Sequence, residues 1–188
     1  MNPQPATEMD TVVARLNDLI GRIAPPSPFE LAQLERDICR LSNVDVVESQ
    51  CLFGSYHALR GDLENTVKCF DKALALNPNS SRAYTNYASS LSRLGQHEQA
   101  IKMALEGISR NNSQESINIL LLCAYYADDH AVIEKWLPKY EKLTGNPHDV
   151  AFWLQEDAED EAYIKEHGDE IRKGPHAPWE QVKKELGL

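Results

Sequence analysis

Apolar side chains recur at helical spacing through most of the chain, in blocks separated by proline, glycine and short polar runs. The first block, about Thr7 to Ile23, sets Val12, Val13, Leu16, Leu19, Ile20 and Ile23 on one side, with Thr7 or Asp10 placed to cap it. Pro25-Pro26-Ser27-Pro28 breaks the chain. The next block, Pro28 to Leu41, turns Phe29, Leu31, Leu34, Ile38 and Leu41 inward, and Pro28 suits a first helical turn, where its missing N–H costs nothing. A third helix, about Asp45 to Leu59, carries Phe53, Tyr56 and Leu59. Arg60-Gly61-Asp62 ends it, since glycine reaches positive φ without a steric cost. A fourth helix then lines up Val67, Phe70, Ala73, Leu74 and Leu76, and Asn77-Pro78-Asn79 stops it.

Ser81 to Gln114 repeats that pattern. The stretch from Glu115 opens with SINILLLCAYYA, apolar nearly all round, which predicts burial between neighbours. After Asp128-Asp129 turns the chain, Val132, Ile133, Trp136, Leu137, Tyr140 and Leu143 mark one more helix, which Pro138 should kink or restart. Gly145-Asn146-Pro147 closes it. Asp149 to about Glu170 reads as an acidic helix with Phe152, Trp153, Ala162, Tyr163 and Ile164 as its apolar members. Gly174-Pro175-His176-Ala177-Pro178 is a linker or turn, and Trp179 to Leu186 is a last short helix with Trp179, Val182 and Leu186 on one side. A helix that short needs something to pack on. The predicted fold class is all-α.

Small residues sharpen the picture. Gly54 and Ala73 let two helices approach closely, and Phe70 can fill the space between them. Gly54, Gly61, Phe70, Ala73 and Pro78, within Val47 to Ser80, resemble the signature of a tetratricopeptide repeat, a helical hairpin of about 34 residues. Thr66 stands where the pattern has alanine, and Gln50 where it has tryptophan. The second copy matches at Tyr84, Ala88, Gly95 and Ala100 but departs later, with Ala104 for the aromatic, Gly107 for the alanine and Asn112 for the proline. The resemblance implies a helical-hairpin solenoid. Its expected organisation is a disordered stretch at 1–6, a degenerate capping hairpin at 7–46, two repeats at 47–114, a third divergent repeat at 115–147 and an acidic helical tail at 148–188.

Hydrophobic residues make up 42% of the chain, enough for most of its 188 residues to fold. A net charge of −10 argues against a nucleic-acid surface and for basic partners or plain solubility. Cys39, Cys51, Cys69 and Cys123 form no C-x-x-C pair and sit in apolar helical patterns, so buried free thiols are expected rather than a disulfide or metal site. The start, MNPQPATEMD, has no basic region or apolar core, and the longest mainly apolar run, Ile117 to Ala127, is too short to span a bilayer. The expectation is a cytoplasmic protein with no membrane contact.

The tail adds a second signal. EDEAYIKEHGDEIRKG followed by APWEQVKKELGL resembles the toxin-binding segment of antitoxins paired with RelE/ParE-type toxins, with Pro178, Trp179, Glu180, Val182, Lys183, Glu185, Leu186, Gly187 and Leu188 in the matching run. That resemblance implies a segment that wraps a small basic toxin. Trp179, Val182 and Leu186 would be its anchors and Tyr163 and Ile164 a second pair. The usual DNA-binding domain is replaced by repeats, so DNA binding does not carry over. Folding back as a capping helix is the competing reading of the tail.

No catalytic constellation emerges, and no cofactor or metal is expected. His97-Glu98 begins like H-E-x-x-H, but Ile101 stands where the second histidine must be, and His97 reads as a turn residue. The carboxylates at Glu156, Asp157, Glu159, Asp160 and Glu161 lack an EF-hand's spacing. An alternative to the tail is peptide binding in the concave groove, lined by Cys51, Ser55, Arg82, Thr85, Asn86, Ser89 and Arg93. Of these only Arg82, Asn86 and Arg93 suit a carboxylate clamp, whose lysines are missing. A third reading is a homo-oligomer formed through an uncapped end of the array.

Overall fold

A computed structural model describes residues 7–173. The chain divides into two units after Asn146. The first holds eight of the helices found among the described residues: α1 (Glu8–Gly21), α2 (Pro28–Leu41), α3 (Val46–Leu59), α4 (Leu63–Leu76), α5 (Ser81–Arg93), α6 (His97–Arg110), α7 (Gln114–Tyr126) and α8 (His130–Thr144). The second holds α9 (Asp149–Lys173). The fold is an all-α, tetratricopeptide-like solenoid. Each odd-numbered helix of the first unit pairs with the even one that follows it, and α3 lies against α1 and α5 as α5 lies against α7.

Helix ends follow local chemistry. Thr7 with Asp10, and Ser27 with Glu30, form capping boxes, each side chain accepting from or reaching back to the other's backbone N–H. Asp45, Asp62, Ser80, Ser113 and Asp129 cap α3, α4, α5, α7 and α8. The three central hairpins share one turn. Asp62 N–H donates to His57 O, Gln96 to Leu91 O and Asp129 to Ala124 O, all at 2.9 Å. The residue before each donor is left-handed: Gly61 at φ 75°, Gly95 at φ 74° and Asp128 at φ 56°. The third hairpin thus keeps the turn without the glycine, aspartate being one of the few side chains that tolerate this region.

The repeat core depends on one close approach. A Cβ on Gly54 would lie 2.4 Å from Phe70 Cε2, so the ring rests directly on the α3 backbone. Phe70 and Ala73 are fully buried, and the Phe70 ring stacks on Tyr87 of α5 at 4.8 Å and 12°. Thr66, the departure from alanine, is also fully buried, its hydroxyl donating to Asp62 O at 2.7 Å. One period on, Ala88 and Ala104, both fully buried, replace the glycine–aromatic pair. At Gly107 an added Cβ would lie 3.1 Å from Thr85 Oγ1 and 3.4 Å from Ser81 O and Tyr84 Cβ, a tight fit, and its carbonyl accepts from Ser81 Oγ at 3.0 Å.

The N-terminal hairpin is built into this core. Val12, Leu16, Leu19, Leu34, Ile38 and Leu41 form one buried cluster with Leu52 and Tyr56 of α3. Some residues fall elsewhere than the pattern suggests. α1 ends at Gly21, before the proline break, which leaves Ile23 fully exposed. Phe29 lies in the first turn of α2, ahead of its buried stripe, and is 71% exposed. α8 runs unbroken through Pro138; the carbonyl that loses its partner belongs to exposed Glu134, where solvent can serve it.

Gly54→Ala should lower unfolding free energy by about 1–3 kcal/mol through overpacking against the ring. Phe70→Ala should cost about 3–5 kcal/mol. Denaturant unfolding of both single variants and the double variant checks the contact, since the double variant should lose less than the sum.

Candidate functional site

Three odd helices converge on a cavity of about 150 Å3. Asn17 and Ile20 of α1, Glu48, Leu52 and Ser55 of α3, and Arg82, Asn86, Ser89, Ser90 and Arg93 of α5 line it, with Glu115 of α7 at one edge. Helical spacing explains the set, since 48, 52 and 55, and 82, 86, 89 and 93, each lie on one face of their helix. Arg93 Nη2 donates to Ile20 O at 3.0 Å, tying the last turn of α5 to the last turn of α1. Ser90 Oγ donates to Ser55 Oγ at 3.5 Å.

Glu48 is the unusual member. Its side chain is only 17% exposed, and Oε1 is buried yet accepts no hydrogen bond from the described residues. Arg82 Nη2 sits 3.4 Å away, on a side chain 58% exposed. Burial holds the Glu48 carboxyl above its ordinary value, against the opposing pull of Arg82.

Of the residues proposed for a groove, Ser55, Arg82, Asn86, Ser89 and Arg93 meet at this cavity. Cys51 and Thr85 do not; both are buried, and Thr85 Oγ1 pairs with Ser116 Oγ at 3.1 Å. Arg82 and Arg93 already have partners within the fold, so neither is an idle cation awaiting a carboxylate. Glu48 and the contribution of α1 were not anticipated. Glu48 was legible in principle, being a carboxylate one turn before Leu52 and two before Ser55.

A second, more open recess of about 440 Å3 lies between α5 and α7, with Arg93, His97, Ile119, Leu122 and Tyr126 on its walls. His97 does not decorate a turn; it opens α6, and its ring stacks on Tyr126 at 6.1 Å and 26°. Tyr126 is 58% exposed.

In the second unit, His148 Nδ1 accepts from Val150 N–H at 3.1 Å at the start of α9, and both residues are buried. From Gln155 to Glu166 every residue is exposed, Tyr163 and Ile164 included, at 58% and 59%. Trp179, Val182 and Leu186 lie outside the described residues, as does the predicted 174–178 linker. Among the described residues no cluster of His, Cys, Asp or Glu is arranged to hold a metal, and no helix is long and apolar enough to cross a membrane.

Comparison with known families bears on the array. Residues 47–80 match one tetratricopeptide repeat model, and residues 69–102 match another. The chain carries tetratricopeptide repeats. The first match is the α3–α4 hairpin with its glycine–aromatic contact. The second is framed from within α4 to the first turns of α6, so it takes in Tyr84, Ala88, Gly95 and Ala100 and stops before Ala104 and Gly107. No curated protein matches the chain. Tetratricopeptide repeats are protein-interaction modules and are generally non-catalytic, so a protein partner is the coarse functional conclusion.

The thiols divide by environment. Cys51 and Cys123 are buried, and burial pushes their thiols up to about 12 and about 11. Cys69 is half-buried, and Cys39 is exposed on the outer side of α2, against the expectation that all four would be covered. Iodoacetamide at pH 8 should therefore label Cys39 first and leave Cys51 and Cys123 unmodified until the array unfolds, as mass spectrometry of peptides would show.

Proposed function

We propose that this tetratricopeptide protein is a non-catalytic binding module of antitoxin type, neutralising a small basic toxin through its C-terminal segment. The observation that supports this is the exposed stretch of α9. Glu156, Asp157, Glu159, Asp160 and Glu161 form an acidic surface, followed directly by exposed Tyr163 and Ile164. A basic partner would be drawn by the charge and held by the apolar pair, with Trp179, Val182 and Leu186 as further anchors. Neutralisation would follow from covering the partner's active surface.

A scaffold role through the concave side is the second reading. The recess of Ile119, Leu122 and Tyr126 beside the His97 ring favours it, because it offers an apolar surface where a peptide side chain could settle. Arg82, Asn86 and Arg93 contribute less to this than a carboxylate clamp would demand, the two arginines being engaged by Glu48 and by Ile20 O.

The test is capture from lysate of the source cells by three baits: the full chain, a chain lacking 174–188, and the Tyr163→Asp/Ile164→Asp variant. The antitoxin reading expects a small basic protein on the full chain alone, with affinity lowered at least about tenfold by the paired substitutions. Added salt should weaken capture. Capture that survives both tail changes but is lost on Tyr126→Ala would transfer the function to the concave recess.

A further inference from the structure

We propose that the cavity between α1, α3 and α5 is a socket for one guanidinium group, that of an arginine presented by a protein partner, which takes the Glu48 carboxylate from Arg82. This inference stands on the repeat array alone and does not depend on the C-terminal segment.

The cavity's size comes first. About 150 Å3 is the space that admits a benzene-sized group, and a planar guanidinium is of that class. Its lining comes second. A guanidinium brings five donors and no acceptor. Glu48 Oε1 is buried and, apart from its 3.4 Å ion pair with Arg82, accepts no hydrogen bond from the described residues, and the amide oxygen of Asn86 and the hydroxyl of Ser89 are further acceptors in the lining. A buried carboxylate oxygen left without a hydrogen bond is costly, so a donor that reaches it recovers that cost. A carboxylate guest would instead meet Glu48 at close range, like charge against like.

The resident cations decide whether the socket can open. Arg93 is engaged by Ile20 O at 3.0 Å and forms no ion pair with Glu48 among the described residues. Arg82 lies 3.4 Å from Oε1 without an aligned hydrogen bond, and more than half of its side chain is in solvent. That exposure gives its side chain a route into solvent if a better donor reaches Oε1. A guest guanidinium enclosed by the three helices would make the aligned, charge-assisted contact that Arg82 does not. Glu48, Arg82, Arg93 and Glu115 then carry no net charge before the exchange, and the guest replaces the cation that leaves.

The test uses the full chain, labelled for amide NMR, titrated with N-acetyl-arginine amide, its uncharged counterpart N-acetyl-citrulline amide, and methylguanidinium. The socket expects saturable shifts at Ser55, Asn86 and Ser89 with blocked arginine and none with citrulline. Glu48→Gln, which keeps the side chain's shape, should weaken binding about tenfold or more, the loss of a hydrogen bond to a charged partner. Arg82→Ala should tighten it, because a competitor is removed; a carboxylate-binding groove requires the opposite. Binding left unchanged or weakened by Arg82→Ala would overturn the proposal, and this variant decides the matter even where Glu48→Gln fails to fold. Equal shifts with citrulline would also overturn it. Shifts with methylguanidinium but not with blocked arginine would overturn the side-chain source in favour of a small free cation.

Discussion

The array rests on a glycine. Phe70 can stack on Tyr87 and close the α3–α4 hairpin only because Gly54 has no Cβ to meet the ring. That contact fixes the distance between the two helices, and through Tyr87 it fixes where α5 lies. The position of α5 in turn sets the cavity, because Arg82, Asn86, Ser89 and Arg93 are all carried on it. A packing constraint between apolar groups thus places polar groups that never touch it. In the next repeat the constraint is met by other means. Ala88 and Ala104, both small and both fully buried, hold the two positions, so neither needs a missing Cβ opposite it. The buried positions persist while the glycine–aromatic signature is lost.

That exchange explains what could be read from the chain and what could not. Gly54, Gly61, Phe70, Ala73 and Pro78 are each forced by local geometry, so the first repeat was legible residue by residue. The second was visible mainly as a period. Turn chemistry carried over where side chains were interchangeable: Asp128 takes the left-handed position that Gly61 and Gly95 hold. Errors gathered at helix ends, where Ile23 and Phe29 share the hydrophobic rhythm but lie past or before the buried stripe. The fate of Cys39 was missed for the same reason, since helical spacing gives a face its period and not its neighbour. The cavity was only half legible. Its α5 members follow from a groove-lining face; Glu48 shares a face with Leu52 and Ser55, but its importance comes from the wall that α1 builds opposite, a long-range juxtaposition that spacing alone does not give.

α9 poses a different physical problem from the array. Its exposed stretch carries Glu156 with Asp160, and Asp157 with Glu161, four residues apart on the helix surface. Like charges at that spacing work against a helix by a few tenths, about 0.2–0.5 kcal/mol a pair. On the same stretch Gln155 Nε2 donates to Glu159 Oε1 at 2.8 Å. A cationic surface laid along the same stretch would reverse the sign of the effect, turning mutual repulsion into shared attraction. Binding a basic protein would then stabilise the helix it binds, and the helix would present Tyr163 and Ile164 in fixed register to the partner. On the reading proposed for this segment, the acidic run would do more than steer: a partner of opposite charge would add a few tenths of a kcal/mol per pair to a helix that already forms without it.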